Sequence, residues 1–284
     1  MKVSISKALK NVASEKYDKK NIFLFFVIFF ISSITILFLP EEFRNQQLLK
    51  TMSPEQVLAL YTSQRTITVF IFALIIGLIT NGTYLVATNN AIHNKEGVFP
   101  NPIKEVGNLM LKSLLYTIGS STVVFLITII ALILTMTLSL INPWCMLITI
   151  PFIILMVHAW LCVNFRFYIT LKFGDLFSFK KSWIMIAKNI RRFGSYIGKS
   201  LALIIVYIFL GMIISMLTAG LSIGILMITK DAKIAEMMLM SIGTIFTALL
   251  GCFFCTYLVD LNGQLLGPIV AENKEEFIDD EEEE

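Results

Sequence analysis

The chain has 284 residues, of which 56% are hydrophobic and 15% are charged, and its formal net charge is +3. An average soluble domain is about one-quarter charged, so this composition excludes an ordinary soluble protein. It indicates an integral membrane protein.

Several uncharged runs can cross a bilayer, because about 20 apolar residues in a helix span the hydrocarbon core. We therefore predict an all-α fold, a polytopic transmembrane helical bundle of about six spans with amphipathic helices at the cytoplasmic interface. The predicted units are a basic cytoplasmic segment at 1–20, a membrane domain at 21–268 and an acidic, disordered cytoplasmic tail at 269–284. The predicted spans are 21–39, 66–88, 113–140, 144–165, 200–228 and 237–259.

Two short helices are predicted in the first part of the chain. Lysines and apolar residues alternate along 5–12 in the pattern of a surface helix that precedes the first span. Ser53 and Gln56 have the spacing of a capping box, with Pro54 at the first helical position between them. We therefore expect a helix to begin at Pro54 and to lead into the second span.

The segment 179–193 between the fourth and fifth spans is predicted to be one basic amphipathic helix at the membrane interface. Its apolar residues are spaced by three and four positions, which puts them on one helical face: Phe179, Trp183, Ile186, Ile190 and Phe193. Cations mainly off that face are the candidate lipid-headgroup contacts: Lys180, Lys181, Lys188, Arg191 and Arg192. Alternatively, these cations only reflect the general excess of lysine and arginine in cytoplasmic loops and have no specific binding role.

The distribution of cations predicts the orientation. Eighteen of the 23 lysines and arginines lie in the N-terminal segment, the loop after the second span, residues 166–199 and the tail. Because positive charge is concentrated in cytoplasmic segments, both termini are predicted to be cytoplasmic. The tail from 271 onward carries nine acids and one lysine. We hypothesise that it competes with lipid headgroups for the cations of 179–193; alternatively, it is a solvated tail that aids solubility.

Small residues are frequent in the fifth predicted span. Gly211, Ser215 and Ala219 form one stripe, and Gly220 and Gly224 form a GxxxG pair on a neighbouring face. Such stripes allow helices to approach closely. We therefore expect the fifth span to be the most buried helix of the bundle.

The spans contain few groups that could carry chemistry. Ionisable residues inside a membrane are the first functional candidates, and His158 is the deepest of them here. Asn81 is the other intramembrane polar candidate. For both residues, a hydrogen bond to a neighbouring helix is the simpler interpretation. Cys252 and Cys255 have metal-ligand spacing, but no second cysteine pair completes a zinc site. We expect no catalytic residue, no metal site and no cofactor.

Four short motifs occur along residues 66–268. They are Asn81-Gly82-Thr83-Tyr84 followed by Phe99-Pro100, Gly174 to Phe179, Asn189 with Tyr196-Ile197, and Leu261-Asn262-Gly263-Gln264. In these motifs the chain resembles the prokaryotic membrane family catalogued as domain of unknown function 4013. The resemblance implies a six-span prokaryotic inner-membrane protein and supplies no activity.

Two functions fit this sequence. The leading hypothesis is a non-enzymatic membrane scaffold or accessory component that contacts anionic phospholipid through 179–193. The alternative is a small-solute transporter or channel with a path near Asn81 and His158. We expect a multi-pass protein of the prokaryotic inner (cytoplasmic) membrane, with an unidentified membrane protein as a further partner and no nucleic-acid partner.

The orientation can be tested by labelling single cysteines in a cysteine-free background. Cysteines at Gln47 and Ala232 are expected to react with an impermeant maleimide on intact cells, because both lie in cation-poor loops. Cysteines at Asn94 and Asn273 are expected to react only after lysis. The reverse labelling pattern would contradict the predicted topology.

Overall fold

A computed structural model of the protein describes residues 3–12, 17–44, 50–141, 149–230 and 232–273. Within these residues the regular structure is helical, and none of them belongs to a strand, which confirms the predicted all-α fold. Two 3₁₀-helical stretches, Thr35–Phe38 and Phe173–Phe177, accompany the α-helices. The α-helices are α1 Ile5–Val12, α2 Lys19–Ile34, α3 Glu41–Arg44, α4 Pro54–Thr62, α5 Gln64–Ile92, α6 Val106–Ile141, α7 Thr149–Thr170, α8 Phe179–Lys188, α9 Ile190–Thr229 and α10 Ala232–Glu272.

Four stretches within the described residues are long and apolar enough to cross a membrane. They lie in α5, α6, α9 and α10, at Gln64–Ile92, Val106–Leu140, Ile190–Ile228 and Met238–Glu272. The chain therefore has the architecture expected of a multi-pass membrane protein. The other two predicted spans, 21–39 and 144–165, correspond to α2 and α7, which are helical but not among these four. A count of six spans remains a prediction.

Both short helices in the first part of the chain are present as predicted. α1 covers Ile5–Val12, and α4 begins at Pro54. The capping box of α4 is formed in both directions. The Ser53 hydroxyl accepts a hydrogen bond from the Gln56 amide at 3.3 Å, and the Gln56 side chain accepts one from the Ser53 amide at 2.9 Å. These bonds satisfy amide groups that a helix N-terminus otherwise leaves without partners.

The basic segment is two helices, which corrects the prediction of one helix over 179–193. α8 ends at Lys188, and Asn189 separates it from α9. The Asn189 side chain donates to the carbonyl of Met185 at 3.0 Å and accepts from Arg192 at 3.2 Å. An asparagine that bonds to the nearby backbone in this way competes with continued helical hydrogen bonding.

The last helix extends further than predicted. α10 continues to Glu272, so residues 269–272 are helical and not part of a disordered tail. Proline inside a helix costs about 3 kcal/mol because it removes a hydrogen bond, yet α10 passes through Pro268. Leu265, Leu266 and Ile269 are almost fully buried, and their packing holds this part of the helix. The tail from 274 onward lies outside the described residues.

The core lies at one end of the bundle, which we call the packed end. It comprises α1, the C-terminal ends of α5, α7 and α10, the N-terminal ends of α6 and α9, and α8. Leu85, Leu109, Phe167 and Leu261 are fully buried there. Toward the opposite end, large apolar side chains such as Leu132 and Ile228 are exposed, as expected for helices that face lipid tails.

Hydrogen bonds between distant segments confirm that the cation-rich segments share the packed end. The backbone amide of Ser4 donates to the side-chain carbonyl of Gln264 at 2.9 Å, which joins the N-terminal segment to α10. Asn21 donates to the carbonyl of Phe99 at 2.9 Å, in the loop after α5. Asn89 donates to the carbonyl of Ile169 at 2.6 Å, near the end of α7. Which side of the membrane this end faces remains a prediction.

Close helix packing occurs at glycines other than those predicted. A Cβ atom on Gly82 would overlap the carbonyl oxygen of Leu109, so only glycine lets α5 lie this close to α6. On α10, a Cβ atom on Gly263 or Gly267 would lie 3.0 Å from the carbonyl oxygen of Ala91 or Ile92, respectively. These two contacts bring α10 against the C-terminal end of α5.

The expectation that the fifth span is the most buried helix is wrong. Only 6% of its apolar window in α9 is buried, against 28% for α5. Apart from the adjacent backbone of α9 itself, no atom lies within 4 Å of a Cβ atom built on Gly211, Gly220 or Gly224. A stripe of small residues permits close approach but does not cause it, and here α5 is the helix with the closest neighbours.

Gly82 and Gly211 form a matched pair for testing this packing. Gly82→Ala is expected to lower the free energy of unfolding by about 1–3 kcal/mol, because the new methyl group must displace the α6 backbone. Gly211→Ala is expected to leave stability unchanged or slightly raised, because the site is open and alanine favours helix. Thermal melting of the two purified variants in detergent measures the difference. Equal melting temperatures would contradict the close α5–α6 contact.

Candidate functional site

Four of the five candidate headgroup contacts are exposed at the packed end. Lys180, Lys181 and Lys188 lie on α8, and Arg191 lies in the first turn of α9, all with exposed side chains. The fifth, Arg192, is half-buried. Its guanidinium group donates to both carboxylate oxygens of Glu272, at 2.9 and 2.7 Å. Glu272 is the first acid of the region predicted as tail, and it therefore already contacts one cation of the basic segment.

The predicted apolar face of this segment is divided between core and surface. Ile186 and Phe193 belong to the core, as do Met185 and Ser182 beside them. Phe179, Trp183 and Ile190 are exposed by 40%, 44% and 67%. The division occurs within each helix, since Phe179 and Trp183 are exposed and Ile186 is buried on α8, whereas Ile190 is exposed and Phe193 is buried on α9.

Exposed aromatic side chains therefore lie beside the exposed cations. Phe177 precedes the lysines at the start of α8, and Trp183 follows them by one turn. We call the group formed by Lys180, Lys181, Lys188, Arg191, Phe177, Phe179, Trp183 and Ile190 the basic–aromatic surface. Exposed tryptophan and phenylalanine next to lysine and arginine are typical of segments that lie in a membrane interface.

A buried ion pair holds the turn that leads into α8. Arg166 is fully buried near the end of α7, and its Nε donates to the Asp175 carboxylate at 2.5 Å. Thr170 and Ser178 donate to the same carboxylate, at 2.6 and 3.2 Å. Asp175 thereby joins the end of α7 to the residue before α8. A buried ion pair stabilises a structure only when such additional hydrogen bonds satisfy its remaining acceptor sites.

The end of α7 is also capped from α5. The Asn89 side chain donates to the carbonyls of Tyr168 and Ile169, at 3.1 and 2.6 Å. The last carbonyls of a helix have no partner within that helix, so these bonds supply what the helix end lacks. Together with the ion pair they fix where the basic–aromatic surface lies relative to the bundle.

A second polar cluster surrounds Asp260 on α10. This carboxylate is 5% exposed and accepts three hydrogen bonds. They come from the Tyr17 hydroxyl at 2.7 Å, the Asn11 amide at 3.1 Å and the Gln264 amide at 2.7 Å. Burial and the neighbouring carboxylate raise the pKa of Tyr17 above its ordinary value, so the phenol stays protonated and donates. Sequence reasoning missed this cluster, since Asn11 and Tyr17 lie more than 240 residues before Asp260.

Asn262 links three helices two residues further along α10. It accepts from the Tyr196 hydroxyl of α9 at 2.7 Å and donates to the Tyr84 hydroxyl of α5 at 3.2 Å. The amide thus satisfies two buried or half-buried phenols from different helices. Tyr84, Tyr196 and Asn262 come from three of the four motifs that carry the family resemblance, and the fold brings them together.

The two intramembrane polar candidates lie in separate helix contacts. Asn81 donates to the Ser113 hydroxyl of α6 at 3.0 Å. The His158 ring packs edge-on against Trp183, with 5.6 Å between ring centroids. The Asn81 contact is the helix-to-helix hydrogen bond that the simpler interpretation expects, whereas the contact of His158 is ring packing. Neither contact joins the two residues to each other.

Within the described residues, no three or more His, Cys, Asp and Glu side chains are grouped so that they could hold a metal ion. Comparisons with protein-family models, with curated proteins and with solved structures find no match to this chain. The resemblance to the domain of unknown function 4013 family therefore remains a prediction.

The buried ion pair can be tested by removing one partner. Asp175→Ala leaves the Arg166 guanidinium buried without its carboxylate, so the free energy of unfolding is expected to fall by about 3–5 kcal/mol. Glu272→Gln is the control, because it removes a carboxylate from an exposed pair and is expected to change the melting temperature little. Melting curves in detergent measure both changes. A larger loss in the Glu272 variant would contradict the role given to Asp175.

Proposed function

We propose that this protein is a multi-pass membrane component that binds anionic phospholipid headgroups at the basic–aromatic surface. We propose further that it is a non-enzymatic scaffold or accessory component of a prokaryotic inner membrane, with an unidentified membrane protein as partner. The observation that carries the proposal is the exposure of four cations among exposed aromatic side chains on one short helix and the turn that follows it.

The location of these residues supports contact with headgroups. Arg191 lies in the first turn of α9, which is one of the helices long and apolar enough to cross a membrane. A cation at the start of a membrane-crossing helix lies at the depth of the headgroups. Lys180, Lys181 and Lys188 lie on the helix directly before it, separated from α9 by Asn189 alone.

The expected electrostatic energy favours binding of anionic lipid over zwitterionic lipid. A lysine or arginine near an anionic leaflet contributes about 1 kcal/mol. Four such residues can therefore distinguish an anionic headgroup from a zwitterionic one, which gives no net charge to attract. Trp183 has an apolar ring with a polar N–H, which suits the same layer of the bilayer. The excess of cations in the predicted inner segments supports a cytoplasmic location for this surface and for both termini.

The proposal can be tested by replacing Lys180, Lys181, Lys188 and Arg191 with glutamine. Retention of phosphatidylglycerol by the purified protein, measured by native mass spectrometry, is expected to fall by about tenfold or more at low salt. The difference from the unmodified protein should shrink at high salt, because ions screen exposed charges. Phosphatidylcholine retention is expected to be unchanged.

The matched control replaces four other exposed lysines of the packed end with glutamine: Lys10, Lys19, Lys20 and Lys95. It removes the same charge and leaves the basic–aromatic surface intact. If the control loses as much phosphatidylglycerol as the test variant, general positive charge explains the retention and the assigned surface is wrong.

A further inference from the structure

The four exposed cations of the basic–aromatic surface occur as two pairs, one at each end of α8. Lys180 and Lys181 lie in the first turn of this helix. Lys188 is its last residue, and Arg191 follows in the first turn of α9. The residues between the pairs carry no charge, and Ile184 among them is 40% exposed. The surface therefore has two separate positive points and not one continuous basic stripe.

One lysine of each pair faces the same side of α8. Lys181 and Lys188 are seven residues apart, which is almost two full turns of an α-helix, so their Cβ atoms point in nearly the same direction. A rise of about 1.5 Å per residue separates them by about 10 Å along the helix axis. Lysine side chains are long and flexible, so the ammonium groups can converge on anions that lie closer together than the two helix positions.

The four cations have no carboxylate partner within the described residues. The chain contains no aspartate or glutamate from 176 to 230, so neither α8 nor α9 supplies one. Of the five candidate cations, only Arg192 has a described ion pair, with Glu272. The anionic groups of a ligand can therefore approach the other four without displacing a carboxylate that the structure describes.

Two separate positive points suit a lipid that carries its charge at two separate points. A phospholipid with two phosphates joined by a glycerol bridge has one negative charge at each end of an uncharged linker. When the first phosphate binds at one pair of cations, the second is held near the other pair, which raises its effective concentration there. Only one lipid molecule loses its freedom of motion, whereas two singly charged lipids would both be immobilised.

We propose that the basic–aromatic surface prefers a phospholipid with two phosphates, one at Lys180 and Lys181 and the other at Lys188 and Arg191. This preference rests on the proposed function, because it specifies which anionic lipid the surface selects. Trp183 lies between the two pairs and is 44% exposed. An exposed tryptophan is typical of the membrane interface, which favours a membrane lipid over a soluble bisphosphate as the ligand.

The test compares diphosphatidylglycerol with phosphatidylglycerol at equal total phosphate. Retention of each lipid by the full-length protein in detergent is measured by native mass spectrometry. The unmodified protein is expected to retain diphosphatidylglycerol about tenfold more strongly, because binding of the first phosphate assists the second. Equal retention of the two lipids would overturn the preference and leave the anionic-lipid proposal standing. Retention of neither lipid would overturn the proposed function as well.

Three double variants distinguish bridging from total charge, because each removes two positive charges from exposed positions. Lys180→Gln with Lys181→Gln removes one pair, and Lys188→Gln with Arg191→Gln removes the other. Both variants are expected to lose the preference, because only one phosphate can then be bound. The matched control, Lys180→Gln with Arg191→Gln, takes one cation from each pair. It is expected to weaken retention of both lipids and to keep the preference between them. If the control loses the preference as completely as the other two variants, total charge explains the selection and the proposal is overturned.

A soluble competitor distinguishes a lipid from a free ligand. Glycerol bisphosphate has two phosphates on the same bridge and no acyl chains. At the concentration of the lipid it is expected to leave diphosphatidylglycerol bound. Displacement of the lipid under these conditions would overturn its assignment as the ligand.

Discussion

The close contact between α5 and α10 is the constraint on which the rest of the packed end depends. At Gly263 and Gly267 the backbone of α10 lies so close to the carbonyls of Ala91 and Ile92 that an added Cβ atom would be 3.0 Å from their oxygens. This contact sets the rotation of α10 about its axis. With that rotation, Asp260 meets the N-terminal segment and Asn262 lies between the phenols of α5 and α9. One pair of glycines thus determines the surroundings of both polar residues.

The two ion pairs at this end have different physical consequences. Arg166 and Asp175 are buried, and two hydroxyl groups complete the hydrogen bonding of the carboxylate, so loss of either partner leaves a charge in a poorly solvated place. Arg192 and Glu272 lie near the surface, where water and salt weaken their attraction. The first pair therefore fixes the position of α8. The second mainly reduces the charge available at the surface, from five cations to four.

The sequence predicted what depends on composition and short spacing, and it failed where tertiary packing decides. Apolar runs were enough for the helical fold, and the Ser53–Gln56 spacing was enough for the start of α4. The break at Asn189 was missed because asparagine is tolerated inside many helices, and only its bonds to Met185 and Arg192 reveal the interruption. The prediction that the helix carrying the Gly211 stripe is the most buried one failed because small residues alone do not reveal which helix has a close neighbour. Likewise, Asp260 could not be paired with Tyr17 without the fold.

Burial gives the charged groups of the packed end different physical roles. On the basic–aromatic surface the cations are exposed, so any attraction to an anion is spread over several side chains and is sensitive to salt. The Asp260 carboxylate is instead buried and held by three neutral donors, so its position is fixed. Exposed cations suit a fluid layer of headgroups whose positions vary. The fixed Asp260 carboxylate instead holds Asn11 and Tyr17 of the N-terminal segment against α10, because hydrogen-bond geometry as well as charge determines where its donors lie.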